Sequence, residues 1–251
     1  MESKKHPLVS IIMPMHNSEA TIERAVNSVL SQLYENWELL IVDDASKDGS
    51  INTAQRFGVL DPRINVHELE QQSGAGIARN TAIEKAKGRF IAFLDSDDEW
   101  LPEKLSQQIP WMLANDIAFS CTAYYRQKRG REKSIVHVPP KATRAELLKN
   151  NIVATLTAVY DVSQLEKCYM SEIKRRQDYG LWLDLLIKTD AVWCLDNPLS
   201  IYHVGKGTLS SNKAKAAMSQ WKFFREQQNL SMIESAYYFV HYAINATRRN
   251  M

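Results

Sequence analysis

The chain has 251 residues, 45% hydrophobic and 24% charged, with a formal net charge of +2 at neutral pH. That length gives one large α/β domain, or two small ones, an ample core. So small a net charge offers no electrostatic case for nucleic acid as a partner. No run of 18 uninterrupted apolar residues occurs, which excludes a membrane-spanning helix, and the N-terminal Met-Glu-Ser-Lys-Lys-His-Pro leads into the first strand without a signal-peptide core. Cys121, Cys168 and Cys194 are odd in number and flanked by apolar or aromatic residues, as expected of reduced core thiols in a cytoplasmic protein.

In chain order, Val9-Ser-Ile-Ile-Met-Pro14 reads as a first strand, followed by the loop His16-Asn-Ser-Glu19. Ile22, Ala25, Val26, Val29, Leu30 and Leu33 recur at helical spacing. Trp37 to Asp43 is a second strand ending on carboxylates. The turn-rich Asp44-Ala-Ser-Lys-Asp-Gly-Ser50 then leads into a short helix ending near Gly58. Ile64 to Leu69 is a third strand, and Ser73-Gly-Ala-Gly76 opens a helix running to about Lys87. The apolar run Phe90 to Leu94 is a buried parallel strand that stops on Asp95-Ser-Asp-Asp98. This β-α-β-α-β-α-β order predicts a doubly wound, largely parallel sheet from residue 7 to about 98, with helices on both faces.

Beyond the acidic cluster, Pro102 to about Ala114 looks helical, with a kink or break expected at Pro110. Ile117 to Arg126 and Ser134 to Val138 read as an exposed hairpin joined by a basic segment. Thr143 to Lys149 is a brief helix, Ile152 to Tyr160 a β-prone run, and Asp178 to Lys188 a helix with Asp178 at its N-terminus. Ala191 to Leu195 is a strand, an irregular segment is expected from Asn197-Pro198 to Lys213, and two helices broken near Asn229-Leu-Ser231 close the chain. The expected organisation is a nucleotide-binding half at 1–100, an acceptor-binding and catalytic half of the same domain at 101–213, and a helical extension at 214–251.

Four stretches fall at strand ends or helix starts, where open α/β sheets bind ligands: Pro14-Met-His-Asn17, Asp43 to Ser50, Asp95-Ser-Asp-Asp98, and Arg176-Gln-Asp178. Hard carboxylate oxygens grouped as in the third suit Mg²⁺ or Mn²⁺, and such a metal suits a diphosphate. Read alone, Ser96 or Asp97 is equally a cap for the following helix.

In this order and spacing the four stretches resemble the family 2 glycosyltransferases, inverting enzymes of the GT-A fold that use nucleotide sugars. The resemblance runs from Val9 to about Ser211. It implies a Rossmann-like, mostly parallel sheet with a smaller mixed acceptor-side region, and a metal-dependent hexosyl- or N-acetylhexosaminyltransferase using a UDP-sugar. Carried over by motif, Pro14, His16 and Asn17 belong to the nucleotide pocket, His16 standing where the family usually has tyrosine. Asp44 accepts from the uracil N–H, and Arg79 pairs with a phosphate or braces the acidic cluster. Asp95 holds ribose, or metal through water, Asp97 ligates Mn²⁺ or Mg²⁺, and Asp98 caps or supports the next helix. Asp178 matches the catalytic base, and Gln177 stands where the family has glutamate, so Gln177 and Trp182 are candidate acceptor contacts. His203 and Lys206 match a late segment that closes over the donor.

The implied acceptor is a glycan, lipid-linked in family members that build bacterial surface polysaccharide. The aromatic C-terminal stretch is expected to pack back on the domain or form a homodimer, the alternative being a helix resting on the inner face of the cell membrane. A nicotinamide-binding enzyme is disfavoured because Ser-Gly-Ala-Gly follows the third strand and lacks a third glycine. A sugar nucleotidyltransferase would need a glycine-rich N-terminal loop. A non-catalytic nucleotide-sugar-binding subunit remains the other alternative.

Overall fold

The computed structural model describes residues 6–128, 131–171, 176–204 and 213–248. Every residue of β1 (Val9–Met15) and β2 (Trp37–Asp43) is buried, as continuous apolar runs in a sheet covered on both faces must be. Helix α1 (Ile22–Leu30) connects them. Helix α2 (Ser50–Leu60), β3 (Ile64–Glu68), α3 (Ala75–Lys85) and β4 (Phe90–Phe93) follow. The strands pair in parallel in the order β3-β2-β1-β4. Met15 lies in register with Asp43 and Ile12 with Phe93, so loops 16–19, 44–49 and 95–98 leave the same edge of the sheet. Successive β1 side chains alternate between two core layers: Ile11 and Met13 join α1 on one face, and Ile12 joins α3 and the later helices on the other.

Past β5 (Glu99–Trp100), α4 (Lys104–Ala114) and β6 (Phe119–Lys128), the sheet becomes mixed. Strand β7 (Ser134–Val136) forms the expected hairpin with β6. Strand β8 (Lys141–Ala142) leads to α5 (Arg144–Lys149), closed at its start by a reciprocal Thr143–Glu146 capping box. A 3₁₀ turn at Thr155–Thr157 precedes β9 (Val159–Asp161), α6 (Val162–Leu165), α7 (Gln177–Lys188) and β10 (Val192–Val204). Strand β9 runs antiparallel to both β4 and β6 and so joins the halves into one sheet. Three expectations change here. Helix α4 runs through Pro110 without ending. The β-prone run is mostly a turn. Strand β10 continues across Asn197–Pro198, where register shifts against β6 let a residue without N–H be accommodated.

Helix α8 (Lys213–Lys222), a π-helical turn at Phe223–Gln227 and α9 (Met232–Arg248) finish the described chain, and the expected break falls at Asn229, whose φ of 49° lies in the left-handed region. Phe223 stacks on Tyr179 at 4.8 Å, and Tyr238 and Phe239 pack against the core. The opposite side of α9 leaves Ile233, Tyr237, Val240 and Ile244 exposed. All three cysteines are buried free thiols, Cys121 and Cys194 meeting at 3.3 Å across β6 and β10. Among the described residues no helix is long and apolar enough to cross a membrane.

Candidate active site

The shared edge of β1, β2 and β4 opens into a cavity of about 450 Å³ lined by Pro14, His16, Asn17, Asp44, Arg79, Asp95 and Asp97. The structure thus brings together residues from four separate stretches of sequence. His16 lies 2.7 Å through Nδ1 from the Asp44 carbonyl oxygen, so Nδ1 carries the proton, and Nε2 accepts from the side-chain amides of Asn17 at 2.9 Å and Gln72 at 3.1 Å. The Asp44 carboxylate accepts from the backbone N–H groups of Ser73 at 2.6 Å and Gly74 at 2.8 Å. One lone pair on each oxygen is thereby committed to the loop and one remains. Gly74 adopts φ 97°, a conformation open to glycine and strained for other residues.

Arg79 is buried on α3 and donates to Asp95 at 2.5 Å, which makes it a brace for the acidic cluster. Burial works to lower the pKa of its guanidinium, but Asp95 outweighs that and holds it above the usual value. The cluster itself is electrostatically crowded. Desolvation first, then the Asp95 charge, raise the Asp97 carboxyl even though Asp97 stands open at the cavity mouth. Burial, then Asp95, push Asp98 up to about 8. Asp98 is not a cap for α4: it accepts from the His203 backbone N–H at 2.9 Å and ties β10 to the cluster. His203 Nε2 meets Glu99 at 2.5 Å, and Arg24 pairs with the same carboxylate at 2.9 Å.

Crowded carboxylates of raised pKa fit a divalent cation, whose charge would relieve their repulsion. Among the described residues, no group of three or more His, Cys, Asp or Glu is placed to hold a metal ion. Asp95 and Asp97 are the cavity side chains that could hold such a cation, a partial set of hard oxygen donors.

A second cavity of about 830 Å³ adjoins the first, with Asp95 in the lining of both. Its other walls include Asp98, Tyr124, Arg126, Thr155, Asp178 and Tyr202. Asp178 is the second residue of α7, which Arg176 enters through a left-handed conformation at φ 63°. A carboxylate in the first turn is favoured by the helix dipole. Asp178 is half-buried, and its Oδ2 accepts from Thr155 Oγ1 at 3.1 Å.

Two candidates fall elsewhere. Trp182 is not an acceptor contact: it is 0% exposed, packed edge-on against Phe93 at 5.2 Å and stacked on Phe119 at 5.6 Å. Gln177 lines neither cavity. Its side chain lies over Gly76, where an added Cβ would come within 2.2 Å of Nε2. Lys206 lies outside the described residues. Ser96, inside the acidic stretch, pairs with Ser18 at 2.8 Å, and sequence reasoning missed Tyr124, Arg126, Thr155 and Tyr202 in the second cavity. Tyr202 neighbours the candidate His203 in sequence, whereas Thr155 sits in a run with no motif at all.

Comparison with known proteins agrees with this geometry. Residues 10–161 match the family described as Glycosyl transferase family 2. TuaG of Bacillus subtilis (strain 168), a glycosyltransferase named for teichuronic acid biosynthesis, is 40% identical over 98% of this chain and 98% of its own length. The UDP-Glc:alpha-D-GlcNAc-diphosphoundecaprenol beta-1,3-glucosyltransferase WfgD of Escherichia coli is 38% identical over 97% of this chain and 95% of its own. Among solved structures, S. aureus TarS 1-349 in complex with UDP-GlcNAc superimposes with a TM-score of 0.72 at 20% identity, over 94% of this chain and 71% of that one. The mannosyltransferase PcManGT of Pyrobaculum calidifontis, in complex with GDP-Man and Mn²⁺, gives 0.69 at 18% identity, over 91% and 66%. These likenesses show the GT-A fold.

Proposed function

The chain belongs to glycosyl transferase family 2, and we propose that it moves a hexose or N-acetylhexosamine from a UDP-sugar, with inversion, onto a lipid-linked glycan during assembly of a bacterial surface polysaccharide. One observation carries the reading: Asp95 lines both cavities, so the pocket suited to a nucleoside diphosphate and the space in front of Asp178 share a wall. Names of two relatives, one for teichuronic acid and one for a diphosphoundecaprenol-linked acceptor, support the substrate classes.

In this reading uracil lies against Pro14 and His16, and the lone pairs that Asp44 has left accept from the base. Asp95, braced by Arg79, faces the ribose. The acceptor hydroxyl gives its proton to Asp178 as its oxygen bonds to the anomeric carbon, and the bond from that carbon to the diphosphate breaks on the opposite face. The bonding pair leaves with UDP and the proton stays on Asp178 until product departs. A Mn²⁺ or Mg²⁺ held by Asp97 would supply charge neutralisation for the leaving group.

On the acceptor side, Tyr124 and Tyr202 meet edge-on at 6.3 Å and offer ring faces to a sugar, while Arg126 offers a cation to an acceptor diphosphate. The exposed Ile233, Tyr237, Val240 and Ile244 of α9 recur at steps of four, three and four residues and form one stripe, which a lipid-linked acceptor gives a membrane surface to rest on. Co-sedimentation with anionic vesicles tests that part, and a dimer in solution that buries the stripe would overturn it. The reaction itself is tested by a nucleotide-sugar screen for released nucleoside diphosphate, with Mn²⁺ and with chelator. Release from a UDP-sugar that stops with chelator is expected. Release unaffected by chelator would remove the metal role of Asp97.

A further inference from the structure

Beneath the second cavity, three buried side chains converge on one short turn. The carbonyl of Leu156 accepts from the Trp100 indole N–H at 2.8 Å. The carbonyl of Thr157 accepts from Lys104 Nζ at 3.3 Å and from Gln108 Nε2 at 3.1 Å. Gln108 also donates to Ser120 Oγ at 2.9 Å, and its Oε1 accepts from Lys104 at 2.5 Å. Lys104, Gln108, Ser120 and Thr157 are 0% exposed, and Trp100 is 2% exposed. Among the described residues no carboxylate pairs with Lys104. An amine buried without a counter-ion costs stability, whereas a polar network with its partners in place gives rigidity to what it holds.

What it holds is the backbone that carries Thr155, the first residue of the same 3₁₀ turn. Thr155 lines the second cavity and donates from Oγ1 to Asp178 Oδ2. One carboxylate oxygen is thereby fixed and the other is left for the acceptor hydroxyl. We propose that Thr155 is a positioning residue for Asp178, and that Trp100, Lys104 and Gln108 form the buried clamp that keeps Thr155 in place. The inference rests on Asp178 being the base. Trp100 in β5 and Lys104 at the start of α4 come soon after the acidic cluster in the chain, so that cluster and Asp178 are referenced to one rigid frame.

The test uses Thr155→Val, which keeps the shape and loses the donor, beside Thr155→Ser, which keeps the donor. A base displaced by an ångström loses up to about 100-fold in rate. Thr155→Val is therefore expected to lose about 10- to 100-fold in kcat with donor KM and melting temperature unchanged, and Thr155→Ser to stay within about threefold of the parent. A Thr155→Val kcat within about twofold of the parent, or a Thr155→Ser loss as deep as that of valine, overturns the positioning role. For the clamp, Gln108→Leu is expected to lower kcat in the parent but not in the Thr155→Val background, because the two act through one contact. Equal losses in both backgrounds would mean that the clamp supports only the fold, and Trp100→Phe runs the same cycle if the leucine variant does not fold. Asp178→Asn measured alongside separates the two readings. Full turnover there would remove the base, whereas an inactive Asp178→Asn beside an undiminished Thr155→Val overturns only the inference.

Discussion

Replacing Lys104 by methionine should change how stability depends on pH, in a direction fixed by burial. Burial drives the Lys104 amine down from 10.5 to about 7. The groups around it are the Gln108 amide, the Thr157 carbonyl, the Trp100 ring at 5.0 Å, and Cys121, whose thiol is raised well above its ordinary value. None of them titrates between pH 7 and 9. Across the window from about 7 to 10.5 the unfolded chain binds the lysine proton and the folded chain does not. Stability therefore rises with pH in that window, by up to about 1.4 kcal/mol per unit and at most about 4 to 5 kcal/mol in all. Below pH 7 the lysine is charged in both states and the full cost of the buried charge is present. Lys104→Met has no such proton. Urea unfolding of both proteins, followed by tryptophan fluorescence at fixed ionic strength from pH 6.5 to 9.5, gives the stability difference directly. The parent is expected to gain about 2 to 3 kcal/mol on the variant between pH 7 and 9.5. A difference constant to within about 0.5 kcal/mol over that range would refute the reasoning.

Further predictions concern the ion pair, the core tryptophan and the acceptor cation. Arg79→Met strands Asp95 at a contact whose side chains are 10% and 30% exposed. The partial exposure of Asp95 places the expected loss, read by denaturant unfolding, at about 2 to 3 kcal/mol, below the about 3 to 5 typical of a fully buried pair. An unchanged unfolding midpoint would contradict the bracing role. Trp182→Ala should cost about 3 to 5 kcal/mol through the cavity it leaves, while Trp182→Phe should leave acceptor KM unaltered, and a raised acceptor KM would return Trp182 to the site. Arg126→Ala should raise KM for an acceptor carrying a diphosphate and leave donor KM alone; equal effects on both substrates would deny it the acceptor side.

Most of the first cavity was legible because parallel strands bring their carboxyl ends to one edge, so motifs far apart in sequence had to meet there. That topology places the loops carrying Pro14, His16, Asp44 and Asp95, while the choice of those residues within the loops came from the family resemblance. Trp182 was not legible, because α7 buries Tyr179 through Leu183 without interruption and its apolar pattern gives no direction for the indole. The run through Pro198 was misread because a proline is a strand breaker only where the ladder needs its N–H, and the register shift removes that need. Asp98 looked like a helix cap from its place in the chain, and only the fold brings the His203 backbone to it across more than a hundred residues. Lys104 and Gln108, four residues apart on α4, would ordinarily be read as a solvated face, since lysine is rarely buried unless paired.

The central claim is that Asp178 takes the acceptor proton, and the most direct measurement is the steady-state turnover of Asp178→Asn with its UDP-sugar and acceptor. A loss of about 100- to 10,000-fold in kcat with donor KM preserved is expected of a general base removed without disturbing the donor cavity. Turnover within about tenfold of the parent would contradict the assignment and move the base elsewhere in the second cavity.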